Sequence, residues 1–215
     1  MTQRVLLLGA TGLVGRHALR QALDDPRVAR VIAPTRRALP AHPKLENAKL
    51  ENPVVDFDAL PGDAAWWAVD GVICALGTTI RQAGSKAAFR RVDVDYVIET
   101  AKRARAAGAQ RYALNSSAGA NAASRIFYLR CKGEAEEAVQ ALGYASVTIV
   151  RPSLIGGERD APRPSERRTA RLLDALGGLV PARYRVVPAE RIAACLLEAV
   201  LAAPPGVLFV ESDAI

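Results

Sequence analysis

Arg4-Val-Leu-Leu-Leu-Gly-Ala-Thr-Gly-Leu-Val-Gly15 is the stretch that decides the fold of this chain. Val5 to Leu8 form a short run without a polar residue, which suits a parallel strand buried on both faces. Gly9, Gly12 and Gly15 follow at three-residue spacing, and apolar residues then recur helically at Leu13, Val14, Ala18, Leu19, Ala22 and Leu23. A strand, a glycine turn and a helix in that order predict a dinucleotide-binding unit. Gly9 permits a sharp turn, Gly12 leaves room for a pyrophosphate, and Gly15 lets the helix approach the sheet. The N–H groups around Thr11, Leu13 and Val14 then lie at the positive end of the helix, where phosphates bind. The expected fold class is α/β: a Rossmann-like, doubly wound parallel sheet with helices on both faces and a short C-terminal substrate region.

Outward from this unit, the first helix should end near Pro26, and Val28 to Pro34 read as a second strand. The strand runs into Thr35-Arg36-Arg37. An acidic residue here selects NAD through the ribose 2′-hydroxyl, whereas arginine accommodates the 2′-phosphate of NADP. Arg36 and Arg37 therefore predict NADPH in preference to NADH. Residues 38–53 read as a loop, and Val54 to Phe57 as a third strand. Asp56 at its end suits either a hydrogen bond to the adenine amino group or a turn cap. Trp66-Trp67 is expected on a helix packed against the sheet.

Val72 to Gly77 form the fourth strand, which brings Leu76, Gly77 and Thr78 to the ligand-binding carboxyl edge. Ser85 can cap a long helix ending near Ala107, with Gly108 behind it. Arg111 to Ser117 make the fifth strand and place Ser116 and Ser117 at its end. Ser124 is expected to cap the next helix, which carries Phe127, Tyr128, Lys132 and Glu134 and stops at Gly143. Ser146 to Val150 form a sixth strand, broken by Arg151-Pro152. Residues 153–170 read as a loop over the site, and Leu172, Leu173 and Leu176 as a short helix. Ile192 to Val200 give a clearer helix, and Val207 to Val210 a last strand. Without a repeat or linker, residues 1–215 read as one domain, with about 152–190 on the substrate side.

Composition sets the remaining bounds. A chain of 215 residues, half of them hydrophobic, can build a sizeable core. No apolar run is long enough for a membrane span, and Met1-Thr-Gln-Arg leads directly into the first strand, so neither span nor signal peptide is expected. Cys74, Cys131 and Cys195 stand far apart, without metal-ligand spacing, as expected of reduced thiols in a cytoplasm. The net charge of +7 has no basic run interleaved with aromatics. It suits an anionic cofactor and small-molecule substrate better than nucleic acid. Monomer and homodimer both remain open, since a long helix such as 86–107 could pair across a two-fold axis.

The chemistry lies in Tyr128 and Lys132, spaced so that both fall on one helix face. A phenol ionises only near pH 10, and a neighbouring ammonium favours its anion. The lysine can also reach the cofactor ribose, and Ser117 can hydrogen-bond a substrate carbonyl. Together these groups supply what carbonyl reduction by hydride transfer needs.

These residues carry a resemblance. Gly9-Ala-Thr-Gly-Leu-Val-Gly15, Ser116-Ser117, Tyr128-x-x-x-Lys132 and Arg151-Pro152 resemble an extended or atypical short-chain dehydrogenase/reductase. Leu76-Gly-Thr-Thr79, Ala83-Gly-Ser85, Val92-Asp93, Ser116-Ser-Ala-Gly-Ala120, Tyr128-Leu-Arg-Cys-Lys-Gly-Glu134 and Arg151-Pro152-Ser153 resemble, more narrowly, the small Tat-interactive-protein-like group. The resemblance implies bound NADPH and catalytic roles for Ser117, Tyr128 and Lys132, with Ser116, Arg151 and Pro152 beside the cofactor. The expected function is an NADPH-dependent reductase of a small carbonyl compound. The alternative is a cofactor-binding regulator or redox sensor. The short C-terminal part argues against a sugar-nucleotide epimerase or dehydratase.

Overall fold

A computed structural model of the chain describes residues 2–40, 48–156 and 185–215. Its centre is a seven-stranded sheet in which every pairing is parallel, ordered β3-β2-β1-β4-β5-β6-β9. The strands are β1 (Gln3–Leu8), β2 (Val28–Ile32), β3 (Leu50–Glu51), β4 (Gly71–Cys74), β5 (Arg111–Asn115), β6 (Ser146–Arg151) and β9 (Gly206–Glu211). Between them run α1 (Leu13–Asp24), α2 (Ile80–Ala83), α3 (Lys86–Arg90), α4 (Tyr96–Ala106), α5 (Phe127–Gln140) and α6 (Ala189–Ala202). A short parallel pair, β7 (Leu154–Gly156) with β8 (Val186–Pro188), lies apart from the sheet.

The fully apolar β1 stands in the middle because both its faces are covered. Val5 and Leu7 join a core with α1 and α6, through Val14, Ala18, Leu19, Ile192 and Leu196. Leu6 and Leu8 join the opposite core with α4 and α5, through Val97, Ala101, Ala135 and Val139. This is the expected doubly wound arrangement. The chain winds outward from β1 to β3, then crosses to β4 on the other side, so a crevice opens at the carboxyl ends of β1 and β4. Register keeps those ends level: Leu8 pairs with Cys74, Cys74 with Leu114, and Leu114 with Ile149.

Several local expectations change. The third strand is Leu50–Glu51, inside the predicted loop, while Val54 makes only an isolated bridge to Thr35. Pro53 has no N–H to donate, so the ladder breaks between the two pieces. Trp66 and Trp67 lie on a 3₁₀ turn (Ala65–Trp67) rather than a helix, following Pro61 and Gly62; Trp67 is buried and its indole N–H donates to the Pro61 carbonyl at 2.7 Å. Ser85 caps α3 as expected, its Oγ accepting the Ala88 N–H at 3.0 Å. The helix beyond it is not uniform: a π turn, Arg91–Asp95, separates α3 from α4. Ser124 caps a pre-helical turn, accepting the Ile126 N–H at 3.1 Å, and α5 starts at Phe127 behind Ile126. Within the predicted substrate loop, Leu154–Gly156 is strand. The proposed helix at Leu172, Leu173 and Leu176 lies outside the described residues.

Candidate functional site

The glycine turn after β1 has three different steric roles. Gly9 adopts φ +83°, and a Cβ there would lie 2.5 Å from the Ala75 carbonyl oxygen. A Cβ on Gly15 would lie 2.0 Å from the Gly9 oxygen, so this glycine sets the close approach of α1. At Gly12 the backbone is extended, with φ −76°, and the nearest atom to an added Cβ is the Gly9 oxygen at 3.3 Å. Gly12 is exposed and caps α1 without a side chain. The first-turn N–H groups, beginning with Leu13 and Val14, therefore face an open cradle at the positive helix end. Thr11 is exposed at its rim. These are features a pyrophosphate would fit.

Beyond β2, Arg36 and Arg37 are exposed, and neither side chain has an ion-pair or hydrogen-bond partner among the described residues. Their turn is pinned by Asn52. Its amide donates to the Ala33 carbonyl at 2.6 Å and the Thr35 hydroxyl at 2.8 Å, while its oxygen accepts the Leu39 N–H at 2.9 Å. The Thr35 hydroxyl in turn donates to the Arg37 carbonyl at 2.7 Å. Sequence reasoning missed Asn52, since a single asparagine in a predicted loop gives no sign of its partners. Asp56 takes the turn-cap alternative with one oxygen, accepting the Asp58 N–H at 2.9 Å.

Past β4, Leu76, Gly77 and Thr78 line the opposite side of the crevice. A Cβ on Gly77 would lie 3.7 Å from Lys132 Nζ and 3.5 Å from Asp93 Oδ1. Lys132 and Asp93 form a buried ion pair at 2.8 Å, and Asp93 Oδ2 accepts the Thr78 N–H at 2.9 Å. Burial is the largest single influence and opposes the Lys132 ammonium, but the charge and hydrogen bond of Asp93, together with Tyr128 and Cys74, hold the lysine above its ordinary pKa. Tyr128 lies one turn earlier on α5 and is 37% exposed, its ring packed against Phe89 with centroids 5.8 Å apart. The partner of Lys132 carried a sequence signal. Asp93 lies four residues after Phe89 and four before Val97, on a stripe otherwise apolar, and an acid there demands a counter-ion.

Ser117 is buried at the end of β5, with a long 3.4 Å contact from its hydroxyl to the Ala118 carbonyl. Its loop is tied to α5 by the Asn121 N–H, which donates to the Leu129 carbonyl at 3.1 Å. Gly133 makes that docking possible, because a Cβ there would fall 2.1 Å from the Ala122 nitrogen. Gly133→Ala should therefore destabilise the protein by about 1–3 kcal/mol or more, the usual cost of overpacking. Chemical denaturation would measure it, and an unchanged midpoint would refute the tight contact.

Ser116 and Arg151 have other work. The Ser116 hydroxyl donates to Glu136, which is buried on α5. The Arg151 guanidinium grips the same carboxylate from Nε at 3.0 Å and Nη2 at 2.5 Å, reaches Glu211 from Nη1 at 3.1 Å, and lies over the Phe209 ring. Both side chains thus tie β5, β6 and β9 to α5. Pro152 contributes through its backbone, accepting the Ala118 N–H at 2.9 Å. The three cysteines are free, and burial raises each thiol's pKa. Cys131 packs with Phe89 and Val94. Among the described residues no cluster offers metal ligands, and no helix is long and apolar enough to cross a membrane.

Comparison with known proteins bears on this crevice. The chain is 39% identical over 177 residues to the protein fmp52, mitochondrial, of Emericella nidulans, covering 80% of this chain and 76% of that one. It is 37% identical over 163 residues to the protein HTATIP2 of Rattus norvegicus, covering 75% and 66%. The structure of MoeE5 in complex with UDP-glucose and NAD superposes with a TM-score of 0.73 at 18% identity, over 96% of this chain and 74% of that one. The Bordetella bronchiseptica enzyme WbmH in complex with NAD+ gives 0.70 at 14%, over 99% and 76%. These two show the fold alone. The expectation of a cytoplasmic place is overturned by the fungal relatives, which are named mitochondrial. Isolated thiols speak against an oxidising secretory compartment and do not choose among reducing ones. Residues 9–202 match the family described as NAD(P)H-binding, a span that takes in the glycine cradle, the Arg36 turn and the Lys132 pocket. The chain belongs to this NAD(P)H-binding family, among the relatives of fmp52 and HTATIP2.

Proposed function

We propose that this protein reduces a small carbonyl compound with NADPH, in the manner of the short-chain dehydrogenase/reductases it resembles. The observation that carries the reading is the Lys132 ammonium held against Gly77 in the crevice, with the exposed Tyr128 one turn away. The open cradle at Gly12 would hold the pyrophosphate, and Lys132 would reach the ribose beside the nicotinamide. When bound, the nicotinamide supplies hydride to the carbonyl carbon. In this reading Ser117 hydrogen-bonds the carbonyl oxygen and orients it. Tyr128 gives that oxygen its proton, and the Lys132 charge stabilises the phenolate left behind. We take residues 1–215 as one domain serving this single site.

The preference for NADPH rests on Arg36 and Arg37, which follow β2 without a side-chain partner among the described residues, where an acid would favour NADH. Calorimetric titration with both cofactors should show tighter binding of NADPH. Arg36→Ala should weaken NADPH by about 1.5–3 kcal/mol, the worth of a charge-assisted phosphate contact, and leave NADH almost unchanged. Equal affinities in the wild-type protein would reject the arginine argument.

A further inference from the structure

The parallel strands deliver three short segments to the β4–β6 half of the crevice: residues 75–85 after β4, 116–128 after β5 and 152–156 after β6. On them stand Ile80, Ile126 and Leu154, which are 40%, 60% and 42% exposed. With Tyr128 they are half of the large apolar side chains that the described residues leave exposed. A single exposed aliphatic needs no explanation, but a group of them round a crevice marks a ligand groove. Chain length keeps all three near the site, since three extended residues span about 10 Å at most. Ile80 follows Gly77 by three residues, Ile126 precedes Tyr128 by two, and Leu154 follows Pro152 by two. The Pro152 carbonyl in turn accepts the Ala118 N–H, beside Ser117, at 2.9 Å. Helix α2, which begins at Ile80, rests through Ala83 on the cluster of Phe89, Val94 and Cys131, and the Phe89 ring meets that of Tyr128.

Polar side chains on the same segments are turned to the backbone. Thr79 Oγ1 accepts the Gln82 N–H at 3.2 Å, Asn121 Oδ1 the Ala123 N–H at 2.8 Å, and Ser124 Oγ the Ile126 N–H at 3.1 Å. The Ser153 hydroxyl donates to the Arg185 carbonyl at 2.6 Å. A substrate rich in hydroxyls would have to break such bonds or leave its own groups unpaired, and either weakens binding. An apolar substrate asks nothing of them and takes the three aliphatic side chains out of water. We propose that the site takes an apolar carbonyl compound, an alkyl or aryl aldehyde or ketone, whose hydrocarbon body lies against Ile80, Ile126 and Leu154. This rests on the reductase reading above for the carbonyl end and adds the rest of the molecule. The step is unchanged: NADPH gives hydride to the carbonyl carbon, Tyr128 gives a proton to the oxygen and regains one from solvent, and an alcohol and NADP+ leave.

Two series test it. In the first, butanal, hexanal, octanal and the hydroxylated glyceraldehyde are reduced with NADPH and compared by kcat/KM. In the second, butanamide and octanamide, which keep the carbonyl but accept no hydride, are titrated by calorimetry into protein saturated with NADPH. Complete burial would give roughly fourfold per methylene. A half-open rim should give about tenfold between the four-carbon and eight-carbon compounds in both series, with glyceraldehyde the poorest aldehyde. Ile126→Asn and Leu154→Asn should each cut that eight-to-four ratio about threefold. Both side chains are exposed, so the variants should fold, which thermal melts would check. Glyceraldehyde turned over as well as octanal, or a ratio that neither variant changes, would overturn the apolar rim and leave the reductase reading in place. The expected amide ratio in a protein that reduces no aldehyde would overturn the reductase reading and uphold the apolar rim. Equal binding of the two amides without turnover would overturn both.

Discussion

Tyr128→Phe is expected to lower carbonyl turnover by roughly 10²–10⁴-fold, the usual worth of a general acid, with cofactor affinity almost unchanged. The substitution removes one oxygen and little else. The Tyr128 ring packs on Phe89, and a phenylalanine ring keeps that contact. Its hydroxyl has no hydrogen-bond partner among the described residues, so no fold-stabilising bond is lost. A large kinetic effect without a stability effect would therefore identify proton donation. The measurement is a panel of aldehydes, ketones and quinones, following NADPH absorbance with wild type and variant, beside thermal melts of both. Full turnover by the variant would reject the assignment of Tyr128. A wild-type protein that binds NADPH but turns over no member of a broad panel would favour a cofactor-binding regulator in the same crevice.

The contrast between Tyr128 and Asp93 shows what local pattern carries and what it does not. Tyr128 and Lys132 share one helix face, so their juxtaposition follows from spacing. The all-apolar Val5 to Leu8, the glycine turn and the α1 periodicity likewise specify a buried strand and its helix without outside information. An acid at Asp93 signals the need for a counter-ion, but its pairing with Lys132 spans two helices and lies on a π turn, which no short window of sequence announces. Arg151 and Ser116 illustrate the same limit. Their positions at strand ends suggested ligand contact, yet both meet Glu136, which is reached only once α5 is docked. Glu136 follows Lys132 by one helical turn, so that face of α5 alternates a cation bound to one element with an anion bound to another. The displaced third strand has a different cause. Val54-Val55 has the stronger β propensity, but Pro53 blocks its ladder and the pairing passes to Leu50–Glu51.

Gly12→Val is expected to abolish measurable cofactor binding in a protein that still folds. The three glycines of the turn separate ligand from fold. A side chain on Gly9 or Gly15 would strike backbone atoms at 2.5 Å and 2.0 Å, so substitution there would disturb the strand, the helix or both. Gly12 has no such constraint: its φ of −76° suits any L residue, and its nearest contact at 3.3 Å needs only a small adjustment. The added branches would instead project into the open cradle before the first-turn N–H groups of α1. A pyrophosphate excluded from those groups loses several charge-assisted hydrogen bonds at once, each worth about 1.5–3 kcal/mol, enough together to take binding below detection. Circular dichroism and a thermal melt would establish that the variant folds, and calorimetry with NADPH would read the affinity. Retained affinity in a folded Gly12→Val protein would mean that the dinucleotide does not cross the glycine turn, and the placement of the whole site would fall with it. Loss of the fold as well as the affinity would show that Gly12 shares the packing role of Gly15, contrary to the open space the structure leaves above it.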